Sequence, residues 1–302
     1  MRLIRILSFV FALFIALPLS GQPLNRQVIT EKGDTMLLGL SNRAGLTASP
    51  FQSWFTEYYD AYEPSPTLVK KCKPLWSNTR VEIFMGTWCG DSKREVPRFY
   101  KILDEIGVSE ADIRLVNLDN RGDNYKQGPH GEEKGKLIHR VPTFIVYQGE
   151  NEIGRIVEFP HTSLEMDLAQ ILAGLPSDPE YKVVPMVAAH LEGDTIPSDW
   201  KSLLEIARAV YKNSKNHREL NTFGYVLLRA GELDKALAVF RINTLLFRNE
   251  PNVFDSLGEA YVAKEAWEQA QGAYKMVLKL APEDENALEQ LALVEAKIDS
   301  EK

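Results

Sequence analysis

A chain of 302 residues is long for a single domain, so length alone predicts two. Its 44% hydrophobic and 25% charged residues are the composition of an ordinary globular protein. A net charge of −7, with no basic run or interleaved aromatic patch, argues against nucleic acid or an anionic membrane surface as partner.

Met1 to Ser20 reads as a secretory signal. Arg2 and Arg5 form a positive start, and Ile6 to Leu19 is an apolar stretch too short for an unambiguous membrane span. The expectation is a signal peptide over 1–21, cleaved near Ser20 or Gly21, and export to the periplasm or outside the cell. No A-x-A cleavage site is present, and an uncleaved anchor is the competing reading. No cysteine follows closely enough for a lipid anchor. Removal of the segment takes away two arginines and leaves a charge of −9. No later stretch is apolar enough to span a bilayer, so no stable membrane insertion is expected after cleavage. Disulfides persist in exported proteins, yet this chain has only Cys72 and Cys89. Either the two form one bridge or both are free.

Residues 22–76 are predicted to form an N-terminal helical extension. Gln22 to Asp34 is polar and extended, and Met36 to Leu40 is a short apolar run. Ser49 suits a helix N-cap and Pro50 a first helical position. Phe51, Trp54, Phe55 and Tyr58 then share one helical face. Rings at that spacing are expected to pack on the following domain, a binding groove being the alternative. Pro66 to Cys72 suggests a second short helix. The strand after it, Val81 to Met85, carries the chain across a sheet at about 3.3 Å per residue. That places Cys72 at the far edge, beyond the ~7 Å Cα separation a disulfide tolerates from Cys89, as a half-buried small apolar residue.

After that strand comes Met85-Gly86-Thr87-Trp88-Cys89-Gly90-Asp91-Ser92, followed by a helical pattern from Lys93 to Ile106. A cysteine at a strand-to-helix junction meets the N–H groups of the helix N-terminus, which favour negative charge. Such positions lower a cysteine pKa from about 8.5 to roughly 3.5–7.5, so Cys89 reads as a reactive thiol. Ile113 to Leu118 is the next strand, with the helix as its parallel crossover. Asp119 to Gly135 is a polar, Gly-rich loop. Its Asp119, Asp123, His130, Glu132 and Glu133 have no recognised ligand spacing, so the loop is expected to be solvated and no metal or other cofactor is predicted. His139 is expected to be solvated or locally capped, with a place near the active surface as the alternative. Arg140-Val141-Pro142-Thr143-Phe144 precedes a hairpin, Phe144 to Tyr147 and Ile153 to Phe159, and an amphipathic helix capped by Ser163 runs to Leu175.

Trp88-Cys89-Gly90, Pro97 eight residues on, and the Val141-Pro142-Thr143 loop before a hairpin together resemble thioredoxins over residues 77–175. The resemblance implies an α/β thioredoxin-like domain, a mixed central sheet flanked by helices. It also implies that the Pro142 loop faces Cys89 and pairs with a bound polypeptide. The chain departs from the pattern at Ser92, where the family has its second cysteine, and at Ile83, where it buries a carboxylate; Glu82 stands beside it.

Residues 176–199 read as a linker, partly docked through Val183 to Val187. From Trp200 to residue 302 the pattern is helical. Gly224, Leu227, Ala236 and Phe240 recur 34 residues later as Gly258, Tyr261, Ala270 and Tyr274. Period and residue sizes resemble tetratricopeptide repeats, implying an all-α repeat domain. Pro251 comes three residues late, and Asn243 stands where an alanine is usual. Helices at Ser202 to Tyr211 and Asn286 to Ile298 are expected to complete the stack, the last with a polar outer face.

Two functions follow from these expectations. The first is monothiol disulfide exchange or isomerisation, with Cys89 as nucleophile and Ser92 hydrogen-bonded to its thiolate. Thr87 or Trp88 would shape the approach, and Val141, Pro142 and Thr143 would hold a polypeptide carrying thiols or disulfides. The second is a redox-inactive scaffold that binds partner proteins through its repeats. Peroxide reduction has no supporting arrangement of Thr or Arg.

Overall fold

The computed structural model describes residues 23–30, 32–175, 181–193 and 195–301. The expected signal peptide lies outside the described residues. An α/β region built on a five-stranded mixed sheet is followed by a helical region, and among the described residues no helix is long and apolar enough to cross a membrane.

The segment from residue 23 to Ser41 does more than extend the chain. β1 (Gln27–Ile29) and β2 (Thr35–Leu37) form a small antiparallel pair, and β3 (Gly39–Ser41) joins the main sheet as an edge strand. The segment read as a helical extension thus supplies one strand of the main sheet as well as helices. A short helix α1 (Arg43–Leu46) follows, capped by Asn42. The aromatic helix α2 (Gln52–Asp60) starts later than predicted. Ala48 accepts from both the Phe51 and Gln52 N–H groups, so Phe51 takes the N-cap place expected for Ser49, and Pro50 lies outside the helix. Phe51 and Phe55 are buried, and Phe55 meets Tyr100 edge-on at 5.9 Å. α3 (Pro66–Cys72) follows.

β4 (Thr79–Met85) lies at the centre of the sheet, whose order is β3-β5-β4-β6-β7, with β5 (Ile113–Asn117), β6 (Thr143–Gln148) and β7 (Asn151–Val157). β4 and β5 are parallel and joined through α4 (Gly90–Ile106); the other pairs are antiparallel. Strand alternation sends Val81, Ile83 and Met85 to one face and Phe84 to the other. The first face is covered by α2, α3, α4 and α5 (Leu164–Leu172), the last capped by Ser163. Among the described residues, the second face carries no helix of the α/β region. Ile138 and Val141, from the segment between β5 and β6, cover it instead.

That segment was expected to be solvated, but its core is not. Asp119, Lys126, Glu132, Glu133 and His139 are all buried. Asp119 holds Arg121 in a two-pronged ion pair, and Glu133 and Glu132 accept from the Gly128 and His130 N–H groups. Polar side chains here satisfy backbone groups that a helix or strand would otherwise pair. Glu82, also buried, faces Lys136 at 2.7 Å.

The connecting segment is docked through α6 (Val183–Ala188), whose Val183, Val184 and Val187 lie in the core of the helical region. Buried Glu219 accepts from the Val183 and Val184 N–H groups at 2.7 and 2.9 Å, occupying the helix N-terminus. Residues 176–180 and 194 of this segment lie outside the described residues. Then come α7 (Trp200–Val210), α8 (Arg218–Arg229), α9 (Leu233–Leu246), α10 (Pro251–Ala263), α11 (Trp267–Leu280) and α12 (Glu285–Ser300). The Phe240 ring lies over Gly224 between α8 and α9, and the Tyr274 ring over Gly258 between α10 and α11. Pro251 opens α10, where its missing N–H costs nothing. Asn243, fully buried, donates to the His217 carbonyl at 3.0 Å. The outer face of α12 is not wholly polar: Leu288 and Leu293 are 50% and 56% exposed.

Candidate functional site around Cys89

Cys89 is the N-cap of α4, extended at φ −90° and ψ 128°, with its carbonyl accepting from the Lys93 N–H. β4 delivers it to the sheet edge and α4 begins beneath it. It is partly exposed, its sulfur free, and it packs with Trp88 beside Val116, Leu118 and Val141. Cys72 is also free, but it is fully buried among the helices on the opposite face of the sheet. Burial, with Glu165 adding, pushes the Cys72 thiol up to about 11. The two sulfurs therefore belong to different faces, and Cys72 is more deeply buried than its spacing suggested.

The Val141–Pro142 loop does face the cysteine. The Cys89 Sγ–H donates to the Val141 carbonyl at 3.3 Å, and the Val141–Pro142 bond is cis. The loop is fixed from both sides: Thr143 Oγ1 donates to the Arg140 carbonyl at 2.8 Å, and the Glu158 N–H donates to the Pro142 carbonyl at 2.7 Å. Thr143 is buried, so its hydroxyl is spent on the turn.

Trp88 donates its indole N–H to the Leu118 carbonyl at 2.9 Å. Its ring lies against Gly86, where a Cβ would come within 2.3 Å, so the glycine makes room for the indole. Thr87 is buried and accepts from the Leu37 N–H at 3.1 Å, tying β2 to the loop. Ser92, expected beside the sulfur, is fully buried, and its hydroxyl accepts from the Gly86 N–H at 3.3 Å. It braces the strand-to-helix turn. Asp91, whose charge would oppose a thiolate, pairs with Arg94 at 2.9 Å.

Sequence reasoning missed the groups behind the Pro142 loop. Cys89 acts electrostatically on Tyr125 and Lys126, and Arg140 and Glu158 act on both as well. Lys126 donates to the His139 carbonyl at 2.6 Å. Arg140 pairs with Glu158 at 3.3 Å and donates to the Arg218 carbonyl of α8 at 3.3 Å. Tyr181, from the connecting segment, donates to Glu158 and stacks edge-on against His139. Phe223 of α8 also meets His139, at 6.4 Å. His139 is thus sealed between the two regions, and burial pushes it down to about 3. The alternative reading of His139, a place near the active surface, pointed here.

On the other side of Trp88 lies an open cleft of about 670 Å³, lined by Lys32, Asp34, Trp54, Trp88, Lys93 and Arg121 among others. Among the described residues, no group of three or more His, Cys, Asp and Glu side chains is placed to hold a metal ion. No protein-family model matches the chain, and none of the curated proteins compared with it matches either.

Proposed function

We propose that this is a thioredoxin-like, exported protein that exchanges disulfides with a single sulfur, and that its helical region is a tetratricopeptide-like module that engages polypeptide partners. The observation that carries this reading is the Cys89 sulfur at a helix N-terminus, partly exposed, 3.3 Å from the carbonyl before Pro142. Cys89 as thiolate attacks one sulfur of a substrate disulfide. A Cys89–substrate disulfide forms, and a substrate thiolate leaves. A different substrate thiolate attacks the substrate sulfur of the mixed disulfide, closes a new substrate disulfide and returns the Cys89 thiolate, whereas return of the first thiolate only restores the starting bond. Nothing is oxidised or reduced overall, which suits a site whose other cysteine is buried on the far face of the sheet. Trp88, Val141 and Pro142 border the sulfur and would hold the substrate chain, while Ser92 and Thr143 keep the turn and loop in shape.

A polar ladder ties the helices of this module to one another. Asn221 donates to Asn252 at 3.2 Å, Tyr225 to Glu259 at 2.8 Å and Asn286 to Asp255 at 2.8 Å, running from α8 to α12. It begins beside Tyr125 and Gly122 of the loop behind the site.

The test is reactivation of a small protein with scrambled disulfides, with mass-spectrometric trapping of mixed disulfides. The Cys72→Ser protein is expected to shuffle disulfides and to be trapped at Cys89, and Cys89→Ser to do neither. A Cys72→Ser protein that forms no mixed disulfide and shuffles nothing would leave the binding scaffold as the function.

A further inference from the structure

The cleft beside Trp88 has walls of its own, distinct from the Pro142 loop. One is the turn between β1 and β2, closed by the Thr30 N–H on the Asp34 carbonyl at 2.7 Å and by the Asp34 N–H on Thr30 Oγ1 at 3.0 Å. A second is the 120–122 turn, where the buried Asp119 carboxylate accepts from the Asn120 and Arg121 N–H groups at 2.8 and 2.9 Å. Between them lie buried Phe51, Trp54 edge-on to it at 6.5 Å, and Trp88, whose indole is fixed on the Leu118 carbonyl. The cleft is therefore built before any ligand arrives, and its volume of about 670 Å³ lies within the roughly 300–1,000 Å³ of ordinary ligand sites.

It comes within one helical turn of the sulfur. Lys93, which lines it, donates its N–H to the Cys89 carbonyl at 3.0 Å, and residues four apart share a helix face. A lysine in the first turn opposes the positive end of its own helix. Its helical neighbours at 89, 90, 96 and 97 carry no acid, and the carboxylates of Asp91 and Glu95 are taken by Arg94. Helix α4 thus gives Lys93 no partner for its charge. Lys32 adds a second ammonium on the β1–β2 turn, and Arg121 a guanidinium oriented by Asp119. With Arg121 set against Asp119, Lys32 and Lys93 still outweigh Asp34, the acid that lines the cleft. On a chain of net charge −7, this is a cationic cleft with two indole rings, next to the candidate nucleophile.

We propose that the cleft is the substrate-recognition site of Cys89, and that it takes an acidic segment of the polypeptide whose disulfide is attacked. Carboxylates of the segment pair with Lys93 and Lys32, and an apolar or aromatic side chain between them packs on the Trp54 and Trp88 rings. This rests on Cys89 being the nucleophile and adds the chemical class of its substrate. Charges at an open cleft speed encounter and select partners more than they tighten binding, so the preference belongs in the rate of attack.

The experiment offers the Cys72→Ser protein the blocked peptide Glu-Phe-Gly-Cys-Gly-Phe-Glu, and its counterparts with glutamine or lysine for glutamate, each activated at cysteine as the 2-pyridyl disulfide. The Cys89 thiolate bonds to the peptide sulfur and pyridine-2-thione leaves, which gives the rate by absorbance. The symmetric sequence serves either chain direction, and each rate is divided by that of 2-mercaptoethanol with the same peptide. The acidic peptide is expected to react at least about fivefold faster than the lysine peptide, with the glutamine peptide between them. Salt at about 0.5 M should remove most of that preference by screening the exposed charges. Lys93→Gln and Lys32→Glu are each expected to bring the ratio of acidic to lysine rates toward one. The ratio cancels any change in the reactivity of the sulfur itself. If Lys93→Gln disturbs the start of α4, Lys32→Glu, on an exposed turn, decides the matter. Equal normalised rates, or a preference that survives both substitutions, overturn the recognition site and leave Cys89 as nucleophile. A parent that releases pyridine-2-thione from none of the peptides overturns both.

Discussion

Gly224 and Gly272 make a matched pair in which one substitution should have opposite signs. Gly224 is buried in α8 beneath the Phe240 ring, and an added Cβ would stand 2.5, 2.6 and 2.9 Å from three ring carbons. Real Cβ atoms do not approach so closely, and the ring, itself fully buried, has no space into which to withdraw. Gly224→Ala gains about 1 kcal/mol of helix propensity. It loses about 1–3 kcal/mol to overpacking, toward the upper end because the neighbour is a buried ring. The net expectation is a loss of about 1–2 kcal/mol. Gly272 is an exposed glycine of α11 with nothing within 4 Å of its Cβ position. Gly272→Ala keeps the propensity gain alone and should stabilise by up to about 1 kcal/mol. Urea unfolding followed by circular dichroism reads both, as midpoint shifts at unchanged slope. A Gly224→Ala protein as stable as the parent, or shifts of the same sign in both variants, would refute the close-packing account of the helical pairs. Adding Phe240→Leu to Gly224→Ala should recover part of the loss, since the two sites share one contact.

Two further predictions concern acid. Burial would raise Asp104, but hydrogen bonds from Arg43 at 2.6 and 2.7 Å and from Tyr59 at 2.5 Å outweigh it and hold the carboxyl below its ordinary range. That stabilisation is present at neutral pH and lost as pH falls below about 4, so Asp104→Asn should be less stable at neutral pH and lose less on acidification in urea midpoints. His139 is pushed down to about 3 in the fold, by burial first and by Lys126, Arg140 and Arg155 in addition. The unfolded chain binds a proton near about pH 6.5 and the folded chain does not, so stability declines as pH drops below that value. His139→Phe should flatten this decline, and thermal melts at several pH values give the comparison.

The local signals were legible wherever one residue type sets one feature. Cys89 at the strand-to-helix junction, Ser163 as a cap, the helix from Pro66 to Cys72 and the 34-residue spacing of small and aromatic positions all depend on neighbours in sequence. What was hidden depends on distant partners. The turn at Ala48 displaced the start of α2 from Ser49 to Phe51. Asp119, Lys126 and Glu133 look like solvated loop residues until the second sheet face, left without a helix, draws their loop over it. Ser92 was read as lying before a helix that starts at Lys93, but α4 begins at Gly90, and the buried Ser92 hydroxyl turns to the Gly86 N–H. Glu158 and Tyr181 reach the site from after β7 and from the connecting segment, and no spacing rule relates either of them to Cys89.

The seam around His139 bears on whether the protein can be divided. Residues 176–199 look like a place to cut, but they include α6, which is packed in the core of the helical region. A fragment ending at Leu175 would leave His139 without Tyr181 and Phe223, and Arg140 without the Arg218 carbonyl. Leu137, which packs on the core of the helical region, would be bared as well. A fragment beginning at Trp200 would lose Val183, Val184 and Val187 from its core and leave Glu219 buried without the N–H groups it caps. Each half would lose packing that the other supplies, and the loop that presents Pro142 to the sulfur is held by contacts from both.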